Sequence, residues 1–466
     1  MKNLYKNIVF AGILLATLSQ TACKNDDFLD KYPPDAFNEK GYFNSDNDLK
    51  IFANRFYGSL PVQILIYNDG DSDNMVPRSV NTFLAGNYTV PASGGGWSTG
   101  DWNGIYNCNF FLDNYGRSTG LRKEQFAAEV RFFRALYYWE KVKTFGDVPL
   151  VLTKVNDASP IIYGPRVPHK QVMEKVLEDL NFAIQYLPEK ASAEAGRLHK
   201  DAALALKSRI ALWEGTFRKY HNLGDETSWL QAAADASQIL INSGRYSVYS
   251  TGNPTTDYRN LFIKKDLSNN SEAIMARTYI QGIGTHGYTR TAGENSTGCS
   301  KNFMENYLFT DGKPISSTSF AYDDSTPAAE AANRDPRYAQ TVATPGFVWT
   351  ENPDPTKRQT VTLPAVGSGQ TSSGYWFIKG RSSDPEQWIA QQSDLDLFIF
   401  RYGEILLNYA EAKYELGTLA QSDLDISINK LRDRVGMPHL STSVTADANA
   451  DNYGYTITPL LYEIRR

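Results

Sequence analysis

A mainly α fold, with tetratricopeptide-like helical pairs, long inserted loops and a few short β-strands, is what this 466-residue chain predicts. Three observations lead there. Apolar residues recur at three- and four-residue steps through residues 46–244 and again through 396–466, which lines them on one helix face. Glycine or proline closes each run, as a C-cap or a breaker. Residues 245–395 are instead dense in Gly, Ser, Thr, Asn and Pro and hold only short β-like runs, so they read as a loop-rich, ligand-facing insertion.

Taken in order, residues 47–60 place Leu49, Phe52, Ala53, Phe56, Tyr57 and Leu60 on one stripe. The longest helix is expected over residues 121–145, with Phe126, Val130, Phe133 and Tyr137 inward, Gly146 as its cap and Pro149 beyond. Residues 169–187 repeat the pattern with Val172, Val176, Leu180 and Ile184, stopped by Pro188. Residues 201–220 and 229–241 make another pair, closed by Gly244. Downstream, residues 402–416 carry Ile405, Leu406, Tyr409 and Ala410, and residues 422–435 follow as one helix ended by Gly436. Neither helix of such a pair can bury its stripe alone, which is the logic of stacked helical repeats. Thr458 and Pro459 look like an N-cap and a first helical residue. The chain stops at Arg466 barely two turns later, so a truncated helix is expected. Within the insertion, residues 273–279 and 340–343 are the β-like runs.

The first segment reads as an address. Lys2 and Lys6 precede the apolar run of residues 8–18, too short to span a bilayer and suited to an export signal. Ala22 and Cys23 resemble a lipoprotein cleavage site, which makes residues 1–22 the signal, Cys23 the acylated N-terminus and residues 23–45 an acidic tether.

Composition narrows the function. The 47 Lys and Arg against 52 Asp and Glu give a net charge of -5, with no basic excess for a nucleic-acid groove. Three cysteines exclude a disulfide scaffold and a four-thiolate zinc site, and the five histidines have no metal-ligand spacing. Cys108 is expected to be a buried thiol, and a Cys108–Cys299 bridge is left open. Aromatic content stands out, with 8 Trp, 28 Tyr and 23 Phe.

Several motifs invite chemistry. Gly96-Trp97-Ser98-Thr99-Gly100 matches a nucleophile elbow, but a glycine-rich loop precedes it where a strand is required, which makes a serine hydrolase using Ser98 a minor alternative. Residues 282–287 match a dinucleotide fingerprint, yet residues 288–293 read as non-helical, so no helix terminus would receive a phosphate. Asp69, Asp71 and Asp73 alternate as in a calcium loop, but Asn74 and Val80 stand where Gly and Glu are needed, leaving at most a loose calcium site and otherwise no cofactor. What remains is a set of loop aromatics beside Asp, Asn and Arg, the general form of a small-ligand site.

The ordered set of motifs resembles the SusD/RagB family of nutrient-binding outer-membrane lipoproteins. It comprises Cys23, residues 27–33 (DFLDKYP), residues 131–139 (RFFRALYYW) leading to residues 145–149 (FGDVP), residues 311–314 (DGKP), residues 335–337 (DPR), residues 401–412 (RYGEILLNYAEA) and residues 429–438. The resemblance implies a non-enzymatic lipoprotein anchored in the outer membrane and exposed at the cell surface. It would bind oligosaccharides and pass them to a TonB-dependent, SusC-like transporter, with a peptide-capturing relative as the alternative. By position, the resemblance suggests Asp73, Asn74, Trp97 and Tyr288 as ligand contacts, with Trp349 and Trp376 added from loop placement. Trp102 and Tyr106 are expected in the helix core.

Overall fold

The computed structural model describes residues 42–64, 69–294, 297–367, 369–451 and 454–466. Cys23, the export signal and the tether up to residue 41 lie outside them. Among the described residues of the first half, six α-helices stand out: α1 (Asp46–Asn54), α2 (Asn103–Asn114), α3 (Lys123–Phe145), α4 (His169–Tyr186), α5 (Lys200–Tyr220) and α6 (Glu226–Asn242). Neighbours in this order from α2 onward lie side by side, so each apolar stripe is covered by the next helix. α1 begins at a reciprocal cap: the Asp48 amide donates to Ser45 Oγ (3.2 Å) and the Ser45 amide to Asp48 Oδ2 (3.0 Å). α3 ends at Gly146, whose φ of 67° is the left-handed conformation that glycine adopts without strain.

The stripes lie inside. Leu49, Phe52, Phe126, Val130, Phe133, Val172, Val176 and Leu180 all belong to the principal core. α7 (Tyr288–Glu294) lies in the insertion, and α8 (Tyr402–Glu415), α9 (Ile428–Arg434) and α10 (Pro459–Arg465) follow it. α8 packs across α5 and α6, which closes the C-terminal part onto the first half. Among the described residues six short strands pair two by two: β1 (Met75–Val76) with β3 (Gly298–Cys299), β2 (Ala273–Arg277) with β6 (Leu397–Arg401), and β4 (Val348–Thr350) with β5 (Gln359–Thr360). All three pairs are antiparallel.

Three local expectations fail, each for a visible reason. The single helix over residues 422–435 is broken at Ser427, where φ and ψ are -125° and -99°. That buried hydroxyl donates to the Asp423 carbonyl (2.5 Å), a side-chain bond that competes with the helical ladder. Residues 340–343 are not a strand. Tyr338–Thr341 is a helical turn pinned by the Gln340 amide, which donates to the carbonyls of Pro254 (3.0 Å) and Pro336 (2.9 Å). Residues 288–293, expected to be non-helical, lie in α7, whose Tyr288 backbone amide donates to His286 Nδ1 (3.1 Å). The dinucleotide reading still finds no support, because the preceding residues close a tight bridge from Ile280 to Gly284 and the nearby sheets are antiparallel pairs. Cys108 and Cys299 are free thiols buried in separate apolar clusters.

His199, the residue before α5, is buried with no partner on Nδ1. Burial pushes its pKa down to about 4, with Asp201 only partly opposing. The unfolded chain therefore binds a proton that the folded one refuses between about pH 6.5 and 4. Stability attributable to this group is intact above pH 6.5 and falls as the pH drops toward 4, by on the order of 3 kcal/mol. Urea midpoints of the wild type and His199→Gln measured from pH 7 to 4 should show a shallower decline in the variant; equal slopes would remove His199 from the account.

Candidate functional site

Two clefts, of about 470 and 520 Å³, open among the described residues; the first joins Tyr246, Tyr402, Ser247 and Ser250 to the charged Lys430, Asp433 and Arg434, and the second is lined by Trp97, Trp102 and Tyr106 beside polar groups of which one is charged. That cleft opens at the N-terminal end of α2. One wall is Trp97, the 3-10 turn Thr99–Trp102 and the first turns of α2, with Asn103, Ile105, Tyr106 and Asn109. The facing wall is the connection from α3 to α4, with Pro149, Val151, Val155, Asn156, Asp157 and Ile162.

Close packing sets the ring wall. Trp97 meets Phe145 edge to face (4.7 Å between centroids) and Trp102 at right angles (5.4 Å). Gly96 permits this, since a Cβ there would stand 3.3 Å from the Phe145 ring in a backbone of φ 88°. Gly104 lets α2 lie against α3, where a Cβ would come within 2.8 Å of the Tyr137 ring. Lys141 donates from Nζ to the Gly96 carbonyl (2.5 Å), and the Arg166 guanidinium lies 4.5 Å over the Trp97 ring.

A buried polar network holds the other wall. Arg134 on α3 binds Asp179 on α4 through two parallel bonds, from Nε (2.7 Å) and from a terminal nitrogen (2.9 Å). Its remaining terminal nitrogen donates to Asn109 Oδ1 (3.0 Å), and Asn109 Nδ2 donates to the Val151 carbonyl (2.8 Å). Tyr138 completes the clamp: its hydroxyl donates to that carbonyl (2.6 Å) and accepts from the Val151 amide (2.8 Å). Val151 is thereby fixed opposite α2 by groups that belong to three different helices.

The structure revises the sequence reading in several places. Tyr106 is 37% exposed and lines the cleft instead of belonging to the helix core, whereas half-buried Trp102 does both, packing against the principal core and lining the cleft. Ser98 has φ and ψ of -70° and 161°, ordinary extended backbone, and its hydroxyl donates to Asp101 (2.5 Å). That bond and the Ser98 amide hold the Asp101 carboxyl below its usual range. Ser98 is a cap residue, neither strained nor paired with a histidine, which sets aside the hydrolase reading.

Of the other expected contacts, Asp73 is exposed and Asn74 half-buried, and the Asn74 carbonyl accepts from the Ser300 amide (2.9 Å). Asp71 is taken up by Asn81 (2.6 Å), and among the described residues no group of three or more His, Cys, Asp or Glu is placed to hold a metal ion. Tyr288 is half-buried and stacked on His286 (4.7 Å). Trp349 packs on Trp376 (4.1 Å) and Trp388 (5.6 Å), and the Arg381 guanidinium lies 3.5 Å from the Trp349 ring centroid. Trp376, expected on an open loop, is only 5% exposed. These residues gather around α7, where Gly293 meets Trp388 and Trp349 and Ala292 meets the cluster of Met75; Trp97 joins Phe145 and Trp102 instead. The whole wall from Pro149 to Ile162 was missed. The available signal was the apolar run of Ile161, Ile162 and Tyr163 in a polar loop between Pro160 and Gly164.

Comparison with known proteins now places the chain. A family model described as SusD family matches residues 228–462, just over half of the sequence. The chain belongs to the SusD family. A second model, described as starch-binding associating with outer membrane, matches residues 27–212. Among curated relatives of this SusD-family protein, SusD-like protein P2 of Formosa agariphila is 29% identical over 162 residues, 35% of this chain and 29% of that protein. Starch-binding protein SusD of Bacteroides thetaiotaomicron is 25% identical over 182 residues, 39% of this chain and 30% of its own length. These alignments therefore span about a third of the relatives they match. A solved SusD-like carbohydrate binding protein from Bacteroides fragilis shares the fold with a TM-score of 0.68 and 23% identity, covering 91% of this chain and 83% of that one. The family's tetratricopeptide-like helical architecture is thus present here.

Removing one partner of the buried ion pair strands the other. Arg134→Met should lower stability by about 3–5 kcal/mol in urea unfolding. Arg134→Met combined with Asp179→Leu should recover part of that loss, because no charge is left unpaired. A single variant as stable as the wild type would show that the pair does not organise the two helices.

Proposed function

We propose that this SusD-family protein is a non-catalytic, lipid-anchored binding protein of the outer membrane that captures oligosaccharides at the cell surface. It hands them unaltered to a TonB-dependent, SusC-like transporter. The cleft beside α2 carries the reading. Sugar rings offer apolar C–H faces that stack on indole and phenol rings, while their hydroxyls need neighbouring donors and acceptors. Trp97, Trp102 and Tyr106 supply the rings, and Thr99, Asn103, Asn156 and Asp157 supply the polar groups. A peptide cargo would call for paired charges in the cleft, whereas the lining has one carboxylate and no cation.

Family membership supports the reading, as do the starch-binding name of one relative and the outer-membrane association in the second family description. Among the described residues no helix is long and apolar enough to cross a membrane. Acyl chains on Cys23 would then supply the anchor, and mass spectrometry of the membrane-bound protein tests them. A shallow site of about -4 to -8 kcal/mol corresponds to millimolar to micromolar affinity, enough to collect cargo and still release it.

Calorimetry against a panel of oligosaccharides should find a binder in that range. Trp97→Ala and Tyr106→Ala should each weaken it about ten-fold without loss of helicity. Tyr288→Ala should leave affinity within about three-fold, since one face of that ring is taken by His286. Unchanged affinity in both cleft variants would overturn the assignment of the site.

A further inference from the structure

We infer that the cleft selects uncharged glycans and turns away acidic ones, with the Asp157 carboxylate as the discriminating group; this rests on the glycan-capture reading above. Asp157 is the one residue of the lining that is charged at neutral pH. It is exposed, and among the described residues no Lys, Arg or His forms an ion pair with it. Its own loop holds it in place: the Tyr163 hydroxyl donates to the Asp157 carbonyl (2.8 Å), and the turn from Asn156 to Ser159 closes beside it.

The cations nearest the cleft are committed elsewhere. Lys141 gives its ammonium to the Gly96 carbonyl and lies 5.0 Å from the Trp102 ring. Arg166 lies over Trp97 and donates to the carbonyls of Phe145 and Asp147, both at 3.4 Å. The Lys154 ammonium lies over the Phe110 ring at 5.2 Å. Behind the wall Arg134 is tied to Asp179, which also faces Arg131 (3.6 Å) and Lys175 (3.5 Å), and none of the three cations lines the cleft. A uronate or sulfate entering here would lose hydration, meet a like charge on the lining and find no cation in that lining to pair with. Neutral hydroxyls, by contrast, can donate to the carboxylate in charge-assisted bonds while the sugar face rests on the rings.

The test uses the full chain and one backbone in two charge states. Neutral maltotetraose, laminaritetraose and cellotetraose are titrated by calorimetry, and the best binder is compared with its own product of C6 oxidation to the uronic acid. The oxidised form should bind about ten-fold more weakly at low salt, and the gap should narrow toward 0.5 M salt as screening sets in. Asp157→Asn should bring the oxidised and neutral forms to within about three-fold of one another, with the neutral form itself weakened by the loss of its charge-assisted bonds. An oxidised form that binds as tightly as the neutral one, or a gap that persists in Asp157→Asn, overturns the inference and leaves glycan capture standing. Failure of every oligosaccharide to bind overturns both.

Discussion

Arg134 sits between α3 and α4 where water does not reach, and its guanidinium needs an acceptor for every donor it carries into the interior. Asp179 takes two of them, and Asn109 takes a third. A buried ion pair of this kind adds little net stability over an apolar pair, because desolvation offsets most of the attraction. Its effect lies in orientation. The fork of the guanidinium has one geometry, so α2, α3 and α4 are registered against one another by a single side chain. Through Asn109 and Tyr138 the same registration reaches the backbone of Val151 and fixes the facing wall of the cleft. Similar charged ties recur between later elements, where Arg209 binds Glu404 (2.6 Å) and Glu272 joins both Arg401 and Arg434.

A rigid wall matters for a weak, reversible ligand. Binding that has to order its own site loses affinity to that ordering, whereas a preformed cleft does not. The rings are preformed in the same sense. Trp97 is locked against Phe145 and Trp102, leaving few alternatives to its observed orientation. The cluster around α7 is built differently. There Trp349 packs on both Trp376 and Trp388, and Arg381, a buried cation that forms no ion pair among the described residues and whose pKa burial pushes down to about 9, lies over Trp349 and Trp388. These rings close on the cation and on one another, whereas Trp97 and Trp102, which also lie near cations, still line the cleft.

How much of this was legible follows from the kind of signal each part leaves. Helices α3 to α6 and α8 announce themselves through apolar spacing and terminal glycines, because burial of one face constrains every third or fourth residue. Ser427 broke the helix predicted over residues 422–435 through a side-chain bond that spacing does not encode. Glu129 and Arg134 are charged residues inside the longest helix, and nothing in the one-dimensional pattern says that both are buried against partners 68 and 45 residues away. Trp97 was singled out by the position of its loop in the family resemblance, and it lines the cleft. Tyr106 was assigned to the core because helical periodicity cannot tell a stripe facing a neighbour from one facing a cleft. The wall from Pro149 to Ile162 escaped notice because its placement depends on Asn109 and Tyr138, contacts made across space.

Backbone hydrogen exchange with and without a saturating oligosaccharide locates the ligand without presuming which side chain touches it. Glycan-dependent protection should concentrate in residues 97–109 and 149–162, the two walls that the Arg134 network brings together. Protection confined to the residues around α7, with none in either wall, would contradict the account.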